Sequence, residues 1–375
     1  MPDDRACDSL YIGLMSGTSM DGIDAALVRF GDHQCDILKT QSTCYPHELQ
    51  NALLDATRMP QNCTVDDIGT LDHWVGECFR DAASTLITKA GIKRSDVTAI
   101  GSHGQTLRHQ PLRSRPFTLQ IGDAHIIAAG TGIDTIADFR RRDIAVGGQG
   151  APLAPAFHQW LFRSDRKSRC VLNIGGIANI TILPSESDHV TGFDTGPGNT
   201  LLDSWARRHL DRPYDKNGAF ASTGVASIAL LETMLADDYF SKPPPQSTGV
   251  EYFHDDFIHA NLALAGQIDI GPADAQATLA ELTAQSIATH ITNSGVSEVL
   301  VCGGGAHNQD LMQRLRANLP NCAVASTDVY GLHPDWVEAV AFAWLARCCL
   351  TGEYGNLPSV TGADSPEILG AIFQG

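Results

Sequence analysis

The chain is short of positive charge. Against 43 Asp and Glu it carries 26 Lys and Arg, a formal net charge of −17 over 375 residues. Nucleic acids and anionic membranes are bound through clustered Lys and Arg, so neither is expected as a partner. A small anion held by a local site is not excluded. Long apolar runs are also missing. Nothing reaches the ~18 residues a membrane span needs, and the opening MPDDRACDSL has no apolar stretch of a secretory signal. The ten cysteines form no Cys-x-x-Cys pair, which argues against a zinc site, and their scatter argues against a disulfide framework. Free thiols in a reducing compartment, the cytoplasm, are the expectation.

What is present is ordinary for a protein with sizeable cores: 43% hydrophobic and 18% charged residues. The length points to two domains. The stretch YIGLMSGTSMDGID, Tyr11–Asp24, sets the first question. Gly17 to Gly22 has the glycine spacing of a P-loop, but Ile23-Asp24 stands where Lys-Ser or Lys-Thr would follow. A P-loop leads into a helix. Here Gly22–Phe30 alternates apolar and polar, the pattern of a strand. The turn therefore reads as the tip of a β-hairpin, with a third strand through CDILKTQSTC. Helices follow: one opening at Pro46, and one capped by Thr64 and ended by Gly91. VTAIGSHG is a buried strand with polar residues at its carboxyl end, where ligands sit in α/β sheets. DAHIIAAGTG is a helix and IDTIADF a strand. Asp138–Pro155, dense in Arg, Gly and Pro, reads as the crossing between domains.

The second half begins again. RCVLNIGGIANITILP is strand, Gly175-Gly176 turn, strand, and HVTGFDTGPGN is a third strand. Helices are expected over 199–210, 225–236, from Asp274 to Gly295, in NQDLMQRLRANLP and in DWVEAVAFAWLARCCL. VSEVLVCGGGAHN is a strand entering the Gly303-Gly304-Gly305 turn. Each half thus opens with a glycine-turned hairpin, a weak internal duplication. Glycine lets peptide N–H groups approach an anion closely, and three such turns at strand ends point to a phosphate site together more strongly than singly.

This arrangement resembles the sugar kinase, actin and heat-shock ATPase superfamily. GLMSGTSMDGID, GSHGQT, ADFRRRDIAVGGQGAPL, NIGGIANI, GFDTGPGN, DKNGAFA, TGVEYF, ATLAELTA and CGGGAHN, spread over nearly the whole chain, resemble the anhydro-N-acetylmuramic acid kinase family. The resemblance implies an α/β fold of two duplicated domains with mixed β-sheets flanked by helices (actin-like ATPase, ribonuclease H-like) and a nucleotide cleft between them. The domains are expected as 1–138 with 358–375, and 139–357. It implies ATP-dependent opening of the 1,6-anhydro ring of 1,6-anhydro-N-acetylmuramic acid by water, with phosphorylation of O6, in cell-wall recycling. ATP and Mg²⁺ are the implied cofactors and the sugar the small-molecule partner; a homodimer is compatible with the sequence.

Phosphoryl transfer is mostly positioning and charge neutralisation. Gly17, Thr18, Ser19, Met20, Asp21, Gly22, Ile23 and Asp24 form the first phosphate loop in this reading, Gly175 and Gly176 the second. Gly303, Gly304, Gly305 and Asn308 form the adenosine side. Asp21, in the turn, is the better candidate for the Mg²⁺ shell; Asp24 is read as bonding the turn backbone. The family's catalytic aspartate falls on Asp194, the candidate base that takes a proton from the attacking water. As a plain residue it would be the N-cap of the helix at Asn199. Glu338, an acid on an apolar helix, matches a substrate-binding residue of the family; otherwise it is an exposed helix position. Ser102, His103 and Gln105 are placed to hydrogen-bond sugar oxygens. Arg140, Arg141 and Arg142 offer forks for the lactyl carboxylate. They are not ranked, and Arg140 and Arg142 are carried as substrate-binding candidates. Lys216 is left out, because Asn217-Gly218 is a plain turn signal. Other readings are a superfamily kinase for a different small molecule, an ATP-driven clamp, which would need a further β-domain, and a non-catalytic nucleotide sensor, against which Asp194 counts.

Overall fold

The structure, a computed structural model, describes residues 9–17, 19–244, 246–292 and 294–375. It divides into two compact units, 1–161 with 336–375, and 162–335.

Unit 1 is built on a six-stranded sheet. Its hairpin strands β1 (Leu10–Met15) and β2 (Gly22–Phe30) are antiparallel, and β3 (Cys35–Cys44) continues the meander. β4 (Val97–Ser102) returns parallel to β1. After it come a separate two-stranded ribbon, β5 (Gln105–Gln110) with β6 (Phe117–Ile121), and then β7 (Thr135–Ala137) beside β4. Unit 2 repeats the plan with β8 (Arg169–Ile174), β9 (Ile177–Leu183), β10 (Thr191–Pro197), β11 (Glu298–Cys302) and β12 (Ala323–Ser326). β13 (Ala371–Phe373) closes the unit 1 sheet against β7. In each sheet the first three strands are antiparallel neighbours, and the fourth lies parallel on the far side of the first. The duplication expected from the two glycine hairpins is therefore present in strand order, and both sheets are mixed.

Local signals behave as their chemistry predicts. Thr64 caps helix Val65–Ala90 with a capping box to Asp67, and Gly91 ends it in the left-handed conformation. The helix buries Leu71, Val75, Phe79 and Leu86 against the unit 1 sheet. On the opposite face lies helix Val337–Thr351. It comes unusually close: a Cβ on Gly13 would overlap the carbonyl oxygen of Ala339, and one on Gly101 that of Phe342. Two strands carry glycine where the helix backbone presses on them, which fixes where its first turn, and Glu338, stand.

The unit boundary differs from the one expected. Changes at 138/139 and 357/358 are replaced by changes at 161/162 and 335/336. The cause is packing. Helix Ala154–Phe162 carries Phe157 and Trp160, stacked on each other, in tilted contact with Trp344, and Trp160 also meets Phe30. Asp138–Pro155 is likewise no crossing but a loop and short helix inside unit 1. Every cysteine among the described residues is a free thiol, and no single helix there is long and apolar enough to cross a membrane.

Candidate active site

The candidate residues fall into a set in each unit. In unit 1 the first glycine turn is held from beneath by buried polar groups. Ser16 Oγ lies 2.7 Å from both Gly22 O and Gln105 Oε1, so its single hydrogen serves one at a time. Gln105 Nε2 donates to Gly17 O at 3.1 Å. Met20 adopts a positive φ of 54° and sinks its side chain, 3% exposed, into the unit 1 core. Ile23 is buried there too. Met20 and Ile23 can thus offer a ligand only their backbone. Ser19 Oγ donates to Asp21 Oδ1 at 2.8 Å, and Asp21 is exposed. Thr18 lies outside the described residues. Asp24 is a strand residue whose Oδ1 accepts from Ser42 on β3 at 2.5 Å, a bond across the sheet.

Beside this turn Arg140, His103 and Glu338 form a charged group. Arg140 Nη2 is 2.9 Å from His103 Nε2, and its Nη1 donates to Gly150 O at 2.8 Å. Guanidinium has no acceptor, so His103 must accept at Nε2 and carry its proton on Nδ1. Burial, then the Arg140 charge, pushes the His103 pKa down to about 3. His103 is therefore a neutral prop and no acid–base catalyst near neutral pH. Burial lowers the Arg140 pKa to about 10, against the opposing pull of Glu338 and Asp143; it remains charged. Glu338 is the solvent-accessible residue in a first turn whose neighbours Val337, Ala339 and Val340 are buried. Dense surroundings raise its pKa, Arg140 opposes this, and Asp24 adds to it.

The other arginines are spoken for on the surface. Arg142 Nε donates to Glu367 at 2.8 Å, and Arg141 pairs with Asp138 at 3.4 Å. The expectation for Arg142 thus meets a side chain engaged in an ion pair. Ser102 and Gln105, expected on the sugar, are buried at 1% and 0% exposure, and Gln105 is spent on the hairpin. The residue missed is Asp143. It is fully buried and accepts from Gly150 N at 2.7 Å, Asn356 Nδ2 at 2.6 Å and Thr361 Oγ1 at 2.7 Å. The Gly150 carbonyl in turn accepts from Arg140, so Asp143 braces Arg140 through one residue, Gly150.

In unit 2 the second turn is held by backbone. The N–H groups of Gly198 and Thr200 donate to Gly176 O, and that of Asn199 to Gly175 O, at 2.8–3.1 Å. Asn199 Nδ2 adds bonds to Ile174 O and Gly175 O. Gly198 is the glycine this contact needs, since its Cβ would overlap Gly175 O.

Asp194 lies in β10, opposite Asn179. The register slips between Asp194 and Gly196, leaving Thr195 as the extra residue of a β-bulge, a device that re-aims a side chain. The helix ahead starts at Thr200 with Asn199 at its N-cap position, so Asp194 is no cap. Its Oδ2 accepts from Thr248 N at 3.0 Å and Ser247 Oγ at 3.2 Å. Burial raises its pKa, and those two donors pull the other way.

A cavity of about 550 Å³ within unit 2 is lined by Asn199, Asp203, Lys216, Gly304, His307 and Asn308 among others. Gly303 takes a positive φ of 77° and, like Gly305, packs against Ile174, while a Cβ on Gly304 would meet only Asn199 Nδ2, at 3.9 Å. Asn308 also caps helix Gln309–Asn318 through Leu311 N. Lys216, set aside on its turn signal, lines this cavity, as does Asp203, which the sequence did not single out. Burial, reinforced by Asp215 and opposed by Arg207, pushes the Asp203 pKa up to about 7.

Two repeated mixed sheets, glycine turns at their strand ends and a carboxylate aimed by a bulge define a class: an α/β kinase of two units. The family model for anhydro-N-acetylmuramic acid kinase matches residues 9–375. The anhydro-N-acetylmuramic acid kinase of Xylella fastidiosa is 50% identical over 368 residues, 97% of this chain and 96% of that protein. That of Shewanella halifaxensis is 49% identical over 366 residues, 97% and 98%. The chain belongs to the anhydro-N-acetylmuramic acid kinase family. A solved ROK family glucokinase from Streptomyces griseus, in complex with glucose and AMPPNP, is a distant likeness at 14% identity and a TM-score of 0.42, covering 90% of this chain and 99% of that one.

Proposed function

We propose that the chain opens the 1,6-anhydro ring of 1,6-anhydro-N-acetylmuramic acid with water and transfers the γ-phosphoryl group of ATP to O6, giving N-acetylmuramic acid 6-phosphate and ADP. The observation that carries this reading is Asp194, aimed by a strand bulge, with both of its described donors on Oδ2. Oδ1 then takes the proton of the attacking water. A water oxygen–C1 bond forms as C1–O6 breaks, and O6 attacks phosphorus as the bond to ADP breaks. No separate base is needed for a sugar hydroxyl.

Arg140, charged and braced by His103 and Gly150, suits the lactyl carboxylate better than Arg141 or Arg142, which are paired elsewhere. Glu338 is placed to accept from a sugar hydroxyl and to favour positive charge developing at C1. The glycine turn of unit 1 and that of unit 2 each offer backbone donors suited to phosphate oxygens, and the cavity beside Gly304 and Asn308 takes the adenosine, with Lys216 as an added cation. The oxygen donors of Asp21, with Asp24 second, fit Mg²⁺ and would hold it. Bound there, the ion supplies charge neutralisation at the phosphates. A cytoplasmic reaction is the reading that ATP as phosphoryl donor supports.

The test is turnover of the anhydro sugar with Mg-ATP in ¹⁸O-labelled water. The label is expected at C1 of a 6-phosphorylated product. A product without label, or labelled sugar without phosphate, overturns the coupled reaction.

A further inference from the structure

One group of side chains has no part in this chemistry. His307 ends the short helix Gly304–His307, His333 lies in the loop just ahead of Pro334, and Asp335 sits in the short 3₁₀ turn Pro334–Trp336. His307 Nε2 is 2.8 Å from Asp335 Oδ1, and His333 Nδ1 is 3.8 Å from Asp335 Oδ2. One ligand atom from each residue lies within 4.8 Å of the other two. We propose that His307, His333 and Asp335 form a binding site for a divalent transition-metal ion, at the edge of the unit 2 cavity.

Three features support it. The two loops are tied together: Gly303 N–H donates to Pro334 O at 3.0 Å, and Ala306 N–H returns to Gly303 O at 3.1 Å. Gly303 itself is wedged against Asn173 and Ile174. The ligands are thus brought together by backbone that is already fixed, which lowers the ordering cost of binding. Second, two imidazole nitrogens and one carboxylate suit zinc, cobalt or nickel; Mg²⁺ prefers oxygen alone. The site is therefore chemically distinct from the Asp21 position. Third, the three side chains are 51%, 47% and 42% exposed, so an ion can reach them and keep water in its remaining positions.

The position has a consequence. His307 and Asp335 line the cavity together with Gly304 and Asn308. A bound ion takes the lone pairs these two side chains would offer a ligand there. Metal and adenosine then weaken each other's binding by the same factor. Only this second effect depends on the adenosine reading of the cavity.

The experiment is titration of the EDTA-treated full chain with Co²⁺, read by visible absorption, followed by displacement with Zn²⁺. One equivalent of Co²⁺ is expected, displaced by Zn²⁺ and not by Mg²⁺. His333→Ala and Asp335→Asn are each expected to weaken binding roughly tenfold or more, with melting curves confirming that both fold. No cobalt spectrum overturns the site and leaves an ion pair only. Unchanged affinity in both variants, or a sulfur-to-cobalt charge-transfer band, moves the ion elsewhere and also overturns it. Calorimetry with adenosine, which lacks the phosphates that chelate zinc, tests the coupling. Weaker adenosine binding to the zinc-loaded chain than to the metal-free chain is expected, and equal affinities overturn the competition.

Discussion

The two glycine turns sit at corresponding places in two sheets of the same strand order, yet they are anchored by different means. The first turn, at its described residues, leans mainly on side chains, Ser16 and Gln105 beneath it and Met20 plugged into the core, beside one outside backbone bond from Tyr45 N–H to Asp21 O. The turn at Gly175-Gly176 depends on the peptide N–H groups of Gly198, Asn199 and Thr200. Repeating a sheet therefore does not repeat its anchoring. A backbone anchor survives most side-chain changes, whereas buried polar side chains fail one at a time, each leaving a partner unsatisfied. The third strands differ as well. β3 has no buried residue and takes its bulge at Leu38, while β10 takes its bulge at Thr195, next to Asp194.

The largest effect should separate those third strands. Asp194→Asn is expected to lower kcat by about 10²- to 10⁴-fold, the usual worth of a general base, with nucleotide affinity intact by calorimetry. Ser42→Ala on β3 should leave turnover within a small factor. Equal losses would end the asymmetry. The pH dependence has a definite sign. Burial holds the Asp194 pKa above the ordinary carboxylate value of about 3.9. Only the ionised form accepts a proton, so kcat/KM falls as pH drops through that raised pKa, and its acid limb lies above an ordinary carboxylate's. Because the folded state holds this proton more tightly than the unfolded one, the associated stability is lost as pH rises through the folded pKa. The melting temperature of Asp194→Asn near neutral pH should therefore hold or rise.

Next in size is Asp143→Ala. It removes the acceptor for Gly150, Asn356 and Thr361 in a fully buried place. A loss of about 3 kcal/mol in unfolding free energy is expected from denaturant titration, together with a rise in KM for the sugar as Arg140 loses its brace. If Asp143 only supports the fold, KM stays put in the surviving protein. Unit 2 offers no counterpart at its turn, where backbone does the holding.

Asp143 also shows where sequence reading stops. In FRRRD it looks like one more surface charge, and its partners lie 213 and 218 residues downstream. Thr64, Gly91, the paired hairpins and the buried helix over 337–351 were legible because each is decided by neighbours in sequence. The unit boundary at 161/162 was not, since it depends on Trp160 meeting Trp344. The β5–β6 ribbon was hidden behind the polar GSHGQT, whose residues read as sugar contacts until Gln105 proved to be buried beneath the turn. Lys216 was masked by the Asn-Gly turn beside it, which is real but also lines the cavity. Asp194 is a candidate from its motif alone, and nothing in the one-dimensional pattern announced the bulge beside it.

The smallest effects test the anchoring contrast directly. Gln105→Ala removes the buried acceptor at Ser16 Oγ and the Nε2 donor to Gly17 O, leaving Ser16 only Gly22 O and Gly17 O only Met20 N–H; at about 0.5–1.5 kcal/mol for each lost bond, about 1–3 kcal/mol of stability should go, with weaker nucleotide binding. Asn199→Ala removes two side-chain bonds to Ile174 O and Gly175 O but keeps the peptide bonds from 198–200. It should cost about 1 kcal/mol or less and leave nucleotide affinity nearly unchanged. Urea titration and calorimetry of the pair decide the matter. If Asn199→Ala proves as damaging as Gln105→Ala, the second turn also depends on its side chain, and the two hairpins are anchored alike after all.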